Sequence, residues 1–336
     1  MWWSLLVGLG CGSPPASDAA EDSGDPGDSG APDGVRPPPW FADAARFTVP
    51  DARGWEWRRD DSFVIADASV PQVFVGPDGR YGMLATDNSI SPRVTGRVLH
   101  GSDDGVAWSD DGVLFDAADF GEQASERLVD AALVPRSDGW TFLVEGITGD
   151  GGYIERSFWV ARSTDFSTWD LDPEPLRTTA EGIVHASVPS AFATETETVL
   201  WVNSFDARGV TGVKDLGVDP ASLAIVGRAG AGGLWPPDLV DPLPVYLEGG
   251  GARMYLANID PGAAGIYLAE LGPALAPVGD PTPVIVPEGA DGCDTMLMDP
   301  ALLQLPDGRL LLYATESIDC GAASVQLRIV RYVAAD

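Results

Sequence analysis

Asp299-Pro-Ala-Leu-Leu-Gln-Leu-Pro-Asp-Gly-Arg-Leu-Leu-Leu-Tyr-Ala-Thr315 reads as a short apolar strand, a Pro-Asp-Gly turn and a second apolar strand. Proline presets φ at the first central position of the turn, and glycine accepts the positive φ that such a turn needs. The pattern recurs. Asp67-Ala-Ser-Val-Pro-Gln-Val-Phe-Val75 leads through Pro-Asp-Gly to Arg80-Tyr-Gly-Met-Leu-Ala-Thr86, and Asp130-Ala-Ala-Leu-Val-Pro135 leads to Trp140-Thr-Phe-Leu-Val144. His185-Ala-Ser-Val-Pro-Ser-Ala-Phe192 precedes Val199-Leu-Trp-Val-Asn203, and Asp241-Pro-Leu-Pro-Val-Tyr-Leu247 precedes Arg253-Met-Tyr-Leu-Ala-Asn258. The first residues are separated by 63 (130 − 67), 55 (185 − 130), 56 (241 − 185) and 58 (299 − 241) positions.

Five copies at a period near 60, each with two or more strands, suit the blades of a β-propeller, in which small sheets supply a core only by stacking around an axis. The expected fold is therefore all-β: a single five-bladed β-propeller after a disordered N-terminal tether. The last copy has room for three strands, at about 299–305, 309–315 and 325–333, whereas a blade normally has four. Residues 56–66 are expected to supply the missing strand and close the ring. The innermost strand of a blade lines the central channel, so the first residues of the copies, four Asp and His185, are candidates for a site at the channel mouth.

Between the hairpins a second element recurs: Ser102-Asp-Asp-Gly-Val-Ala-Trp108 and Ser163-Thr-Asp-Phe-Ser-Thr-Trp169. Here the Asp carboxylate ties down backbone N–H groups in a turn and the Trp packs between sheets. Trp108 and Trp169 are accordingly read as core residues.

Composition narrows the function. The 336 residues include 51 Asp and Glu against 20 Lys and Arg, for a formal charge of −31, and Lys214 is the one lysine. Nucleic acid and anionic membrane surfaces, which need a positive face, are excluded as partners. Cys293 and Cys320 flank the last hairpin and are expected to form a disulfide, which implies an oxidising compartment. Cys11 follows Met1-Trp-Trp-Ser-Leu-Leu-Val-Gly-Leu-Gly10, an apolar run too short to span a bilayer. It resembles a bacterial lipoprotein signal with Cys11 as the acylated residue, although its n-region lacks Lys and Arg. Residues 1–11 are then the signal, 12–39 a disordered Pro/Asp/Gly/Ser tether, and 40–336 the propeller. The expected location is the bacterial cell envelope, lipid-anchored or secreted, with membrane contact only through the anchor and the chain a monomer.

Asp-x-x-h…Asp-Gly-x-h-h-h hairpins (h, apolar) alternating with Ser-x-Asp-x-x-x-Trp resemble the five-bladed propeller glycosidases, above all glycoside hydrolase family 43. The resemblance covers residues 63–333. It implies a carbohydrate partner, no required cofactor, and three channel groups: a first-blade Asp as base on water, a second-blade Asp that tunes the acid, and a third-blade Glu that protonates the leaving oxygen. By position Asp67 matches the base and Asp130 the tuner, and an inverting single displacement pairs such a base with a general acid. The third position departs from the family, with His185 instead of Glu. His185 as the acid, Glu181 as the acid from a loop four residues upstream, and a non-catalytic glycan-binding or scaffold lipoprotein are the three readings this leaves. Asp241, Asp299, Asp238 and Trp235 are candidates for sugar contacts, and the same carboxylates suit a channel Ca²⁺. Zinc is excluded by the lack of any Cys/His spacing. Glu145 and Glu316 read as rim residues. No nucleophile elbow or phosphate loop is present.

Overall fold

In a computed structural model, the structure describes residues 35–51, 55–89, 97–120, 127–148, 155–176, 185–206, 209–219, 223, 225–227, 234–288, 293–321 and 325–335. Cys11, Glu181 and most of the tether lie outside them, and so does the His185 side chain. Two strands precede the repeats, β1 (Thr48–Val49) and β2 (Glu56–Ala66). Blade one comprises β3 (Ala68–Val75), β4 (Tyr81–Asp87), β5 (Arg97–Ser102) and β6 (Ser109–Phe115). Blade two comprises β7 (Arg127–Arg136), β8 (Gly139–Thr148), β9 (Glu155–Ser163) and β10 (Asp170–Leu171). Blade three is β11 (His185–Ala193), β12 (Thr198–Asp206), β13 (Gly209–Val218) and β14 (Ile225–Gly227). Blade four is β15 (Leu239–Leu247), β16 (Ala252–Asn258), β17 (Gly265–Leu271) and β18 (Pro277–Ile285). Blade five is β19 (Asp294–Gln304), β20 (Leu310–Asp319), β21 (Gln326–Ala335) and, as expected from its sequence, β2.

The closing strand pairs antiparallel with β21, from Glu56 opposite Ala335 to Ala66 opposite Arg328. The ring is therefore sealed by hydrogen bonds between the two ends of the domain, and no blade is left with three strands. The predicted disulfide is also present: Cys293 and Cys320, with Cα atoms 4.2 Å apart, join the start of β19 to the end of β20.

The long apolar runs are explained by burial on both faces. Along β20, Leu310, Leu312 and Ala314 enter the cluster shared with blade four, while Leu311 and Tyr313 enter the cluster shared with blade one. Each blade interface has one such cluster. A fully buried Leu or Phe contributes about 1.5–3 kcal/mol, so the interfaces carry most of the stability. The Ser-x-Asp-x-x-x-Trp turns pin the interfaces. Asp104 Oδ1 accepts the N–H groups of Val106 (2.8 Å) and Ala107 (2.9 Å), and Asp165 Oδ1 those of Ser167 (2.8 Å) and Thr168 (2.9 Å). Trp108 then donates to the Tyr313 hydroxyl (3.2 Å), linking blade one to blade five, and Trp169 packs edge-on against Phe142 in the cluster between blades one and two. Both tryptophans are half-buried and pack against the core clusters at the blade interfaces.

Residues 35–49 belong to the folded body, five residues earlier than the boundary expected at residue 40. Val35 and Ala44 are buried in the cluster between blades three and four, and β1 pairs parallel with β15. Among the described residues no helix is long and apolar enough to cross a membrane.

Candidate functional site

Each innermost strand carries a bulge near its start, where the ladder to the second strand skips: between Ser69 and Gln72, Leu128 and Ala131, Ser187 and Ser190, Val240 and Leu243, and Met298 and Ala301. A bulge re-aims a side chain. The residues at this position are Val70, Asp130, Val188, Asp241 and Asp299, each the same interval ahead of its turn residue (Gly79, Gly139, Glu197, Gly250 and Gly308). Pro71, Pro189, Pro242 and Pro300 follow four of them, because the bulge frees a backbone N–H from the ladder and proline has none to lose.

This corrects the register. Asp67 and His185 do not share the position of Asp130, Asp241 and Asp299; they lie three residues earlier on their blades, together with Asp238 on blade four. Aligning the copies on their first polar residue, rather than on the proline, produces the slip. Asp67 and Asp238 are indeed a matched pair. Both are exposed, and the carbonyl of each accepts an N–H from beyond the second strand, Asn88 (2.8 Å) for Asp67 and Ile259 (2.9 Å) for Asp238. The predicted polar residues thus stand at two levels at the end where the inner strands begin: an outer rim with Asp67 and Asp238, at the level of the His185 backbone, and an axial ring with Asp130, Asp241 and Asp299.

The axial ring is held under backbone strain. Val70 (φ 53°), Val188 (φ 47°), Asp241 (φ 53°) and Asp299 (φ 50°) are all left-handed, a conformation that is worst for β-branched valine. Hydrogen bonds from the preceding blade hold four of the five bulges. The Val70 N–H donates to Thr315 Oγ1 (2.7 Å), the Val188 N–H to Glu145 Oε2 (2.9 Å), and the Asp241 N–H to Asn203 Oδ1 (3.0 Å). The Asp299 N–H donates to Asp241 Oδ2 (3.2 Å), while between blades one and two the Thr86 hydroxyl donates to the Val129 carbonyl. Strain over-determined in this way clusters at functional sites.

Asp130 and Asp241 are buried, and Asp299 is half-buried. Asn203 grips Asp241 at two points, its Nδ2 donating to Asp241 Oδ1 (2.8 Å) while its Oδ1 holds the backbone. Burial pushes the Asp241 carboxyl above the ordinary aspartate value. The Asn203 and Asp299 hydrogen bonds pull it back, and the charge of Glu145 adds to the rise. Around the ring Asp241 and Asp299 are neighbours, and Asp130 lies across the axis from them with Val70 and Val188 on either side. Below the ring runs an axial cavity of about 120 Å³, lined near this end by Val70, Pro71, Val188, Asp241 and Asp299.

Other expectations are revised by burial. Glu145 and Glu316 are not rim residues: both are buried, Glu145 bonded to Ser187 Oγ (2.8 Å) as well as Val188, and Glu316 paired with Arg59 and Arg328. Trp235 is packed in the cluster between blades three and four, which leaves its ring no open face for a sugar. Among the described residues no group of three or more His, Cys, Asp or Glu side chains is placed to hold a metal ion. Asn203 and the structural use of Glu145 escaped the sequence reading; the prolines that mark the bulges were the available signal.

No protein-family model and no curated protein matches the sequence. Solved structures do. A thermostable family-43 glycoside hydrolase superposes with a TM-score of 0.61 at 13% identity, covering 80% of this chain and 90% of that one. The fold is that of the family-43 glycoside hydrolases. A xylan β-1,4-xylosidase from Bacillus halodurans C-125 gives a TM-score of 0.59 at 14% identity, over 82% of this chain and 54% of that one. A family-43 β-1,3-galactosidase solved with galactodeoxynojirimycin gives 0.57 at 15% identity, over 83% and 94%. The expected resemblance holds at the level of architecture.

Proposed function

We propose that this chain is an exported glycoside hydrolase-like propeller that engages a poly- or oligosaccharide at the end of the axis where the inner strands begin. The observation that carries the reading is the placement of carboxylates there: Asp130 on one side of the axis, Asp241 and Asp299 on the other, and Asp67 and Asp238 on the rim. Carboxylates are acceptors for sugar hydroxyls, and carboxyl groups on opposite sides of the scissile bond are what single displacement uses. In the hydrolytic form of the proposal, Asp67 is the base that deprotonates water, and Asp130 tunes the proton donor. His185, or Glu181 just before it, protonates the leaving oxygen. The bond from the anomeric carbon to that oxygen breaks as the bond to water forms.

A second reading, a glycan-binding protein without turnover, is favoured by Val70 and Val188. The axial positions of blades one and three bear aliphatic side chains, and the polar residues that open those two copies, Asp67 and His185, stand three residues back at the rim. One experiment separates the two. Reducing-end release by the full chain is measured on arabinan, xylan, levan and agaro-oligosaccharides, beside Asp67→Asn and His185→Ala. Hydrolysis is expected to be lost in Asp67→Asn while saccharide binding, read by calorimetry, persists. Saturable binding with no turnover in the parent chain decides for the second reading, and neither turnover nor binding on the panel refutes both.

A further inference from the structure

The axial cavity has a second end, and this chain stops it with its own N-terminal segment. Phe41, Asp43 and Phe47 line the cavity at the end of the hairpin turns, opposite the carboxylate ring. Phe41 and Phe47 stack with ring centroids 5.9 Å apart, and Phe41 meets Tyr246 edge-on at 6.4 Å. The segment is bolted to three blades. The Glu195 N–H of the blade-three turn donates to the Arg36 carbonyl (3.1 Å), and Gly251 and Glu248 of the blade-four turn donate to the carbonyls of Val35 and Val49 (2.9 Å each). On blade five the Gln304 amide, oriented to satisfy it, donates to the carbonyls of Ala45 and Thr48 (2.7 Å each). Strand β1 adds a parallel ladder, Thr48 opposite Tyr246 and Val49 opposite Leu247.

A connector needed only to reach β2 has no cause to cross three blades and place two phenylalanines on the axis. We infer that residues 35–49 are an intramolecular stopper that makes the channel a blind pocket, so that the propeller has one working face. The chain before Val35 attaches at the stopped face, because Val35 and Arg36 are bonded to hairpin turns of blades four and three. A tether or anchor carried by residues 1–34 therefore leaves the carboxylate face pointing away from its attachment. Nothing in this inference depends on a particular saccharide or on catalysis.

The test is thiol accessibility in the full chain with Cys11→Ser, without reductant so that the Cys293–Cys320 disulfide stays closed. Val75→Cys places a reporter that is buried at the turn end of the cavity, and Ser62→Cys, made separately, provides an exposed control. The reporter thiol is expected to react with a maleimide at least a hundredfold more slowly than the control thiol. Adding Phe41→Ser and Phe47→Ser to the reporter chain is expected to raise its rate more than tenfold while the far-ultraviolet circular dichroism stays that of the parent. Equal reporter rates with and without the two phenylalanines overturn the inference. If the chain lacking both phenylalanines does not fold, the comparison of reporter with control decides. A reporter that reacts as fast as the control overturns the stopper, and strong protection lost only with global unfolding in urea supports it.

Discussion

Asn203→Ala tests whether the strained axial ring is held by bonds from the neighbouring blade. The substitution removes two bonds, from Asn203 Nδ2 to Asp241 Oδ1 (2.8 Å) and from the Asp241 N–H to Asn203 Oδ1 (3.0 Å), at a site that is only 3% exposed. An orphaned buried N–H costs about 1–3 kcal/mol and a neutral hydrogen bond about 1 kcal/mol, so the expected loss is roughly 3 kcal/mol. With an unfolding entropy of about 2.1 cal/mol/K per residue over roughly 300 residues, that is a fall in Tm of about 5 °C. Asn203→Asp keeps the shape and the acceptor but sets a second carboxyl against Asp241. Because folding already raises the Asp241 pKa above 3.8, the stability tied to its protonated form is complete below that value and is lost as pH rises through the raised one. A second group of the same kind makes the deficit of Asn203→Asp grow with pH, by up to about 1.4 kcal/mol for each unit that its own pKa is raised. Differential scanning calorimetry at pH 3.5, below the unfolded value, and at pH 8 reads both variants. A Tm for Asn203→Ala within 1 °C of the parent, or a deficit for Asn203→Asp that is flat between the two pH values, refutes the reasoning.

Removing the blade-five disulfide by Cys320→Ser opens a loop whose ends are 27 residues apart, and loop-closure entropy puts the loss at about 3.5 kcal/mol, measured by urea unfolding against the parent. Intact mass is expected to rise by about two hydrogen masses on reduction of the parent and not at all in a Cys293→Ser, Cys320→Ser double variant. Arg253 is 1% exposed and paired with Glu270 (3.0 Å) and Asp51 (2.9 Å), both of which reach solvent. Arg253→Ala, which leaves a cavity, is expected to cost about 3 kcal/mol, whereas Arg253→Met, which keeps the stem's volume and lets the two carboxylates rehydrate, costs about 1 kcal/mol. Equal losses for the two would show that charge rather than volume dominates there.

The architecture was legible because its cause is local and repeated. A blade buried on both faces needs apolar runs bounded by tight turns, and Ala301–Leu305 before Pro306-Asp-Gly308 with Leu310–Tyr313 after it is such a unit, present in five versions. The closing strand was legible for a related reason, since a last copy one strand short must borrow its fourth from the other end of the chain. The turn tryptophans and the disulfide likewise follow from short-range geometry. The stopper was not legible. Residues 35–39 have the Pro-rich composition of a tether, and only the tertiary contacts of Val35 and Pro38 show them to be packed.

The site was half legible, and the limit lies in the bulge. A bulge adds one residue and turns the strand's first side chains onto different levels, so a polar residue at the start of a copy stands on the rim or on the axis according to where the kink falls. Asp-Pro in blades four and five marks the axis directly. In blades one and three the same proline follows valine, and the polar residue that attracts the eye, Asp67 or His185, sits a level out. Blade two has no proline, yet Asp130 occupies the axis. Those substitutions bear on function more than the fold does. Val70 and Val188 cannot exchange a proton, and they keep the left-handed backbone at a cost that aspartate, or glycine, would lower. Strain kept in an aliphatic residue points to a shaped wall rather than a reacting group. In the proposed function the reacting or hydroxyl-binding groups then come from Asp130, from the Asp241–Asp299 pair, or from the rim. This is why turnover in Asp67→Asn weighs more heavily than any likeness of fold.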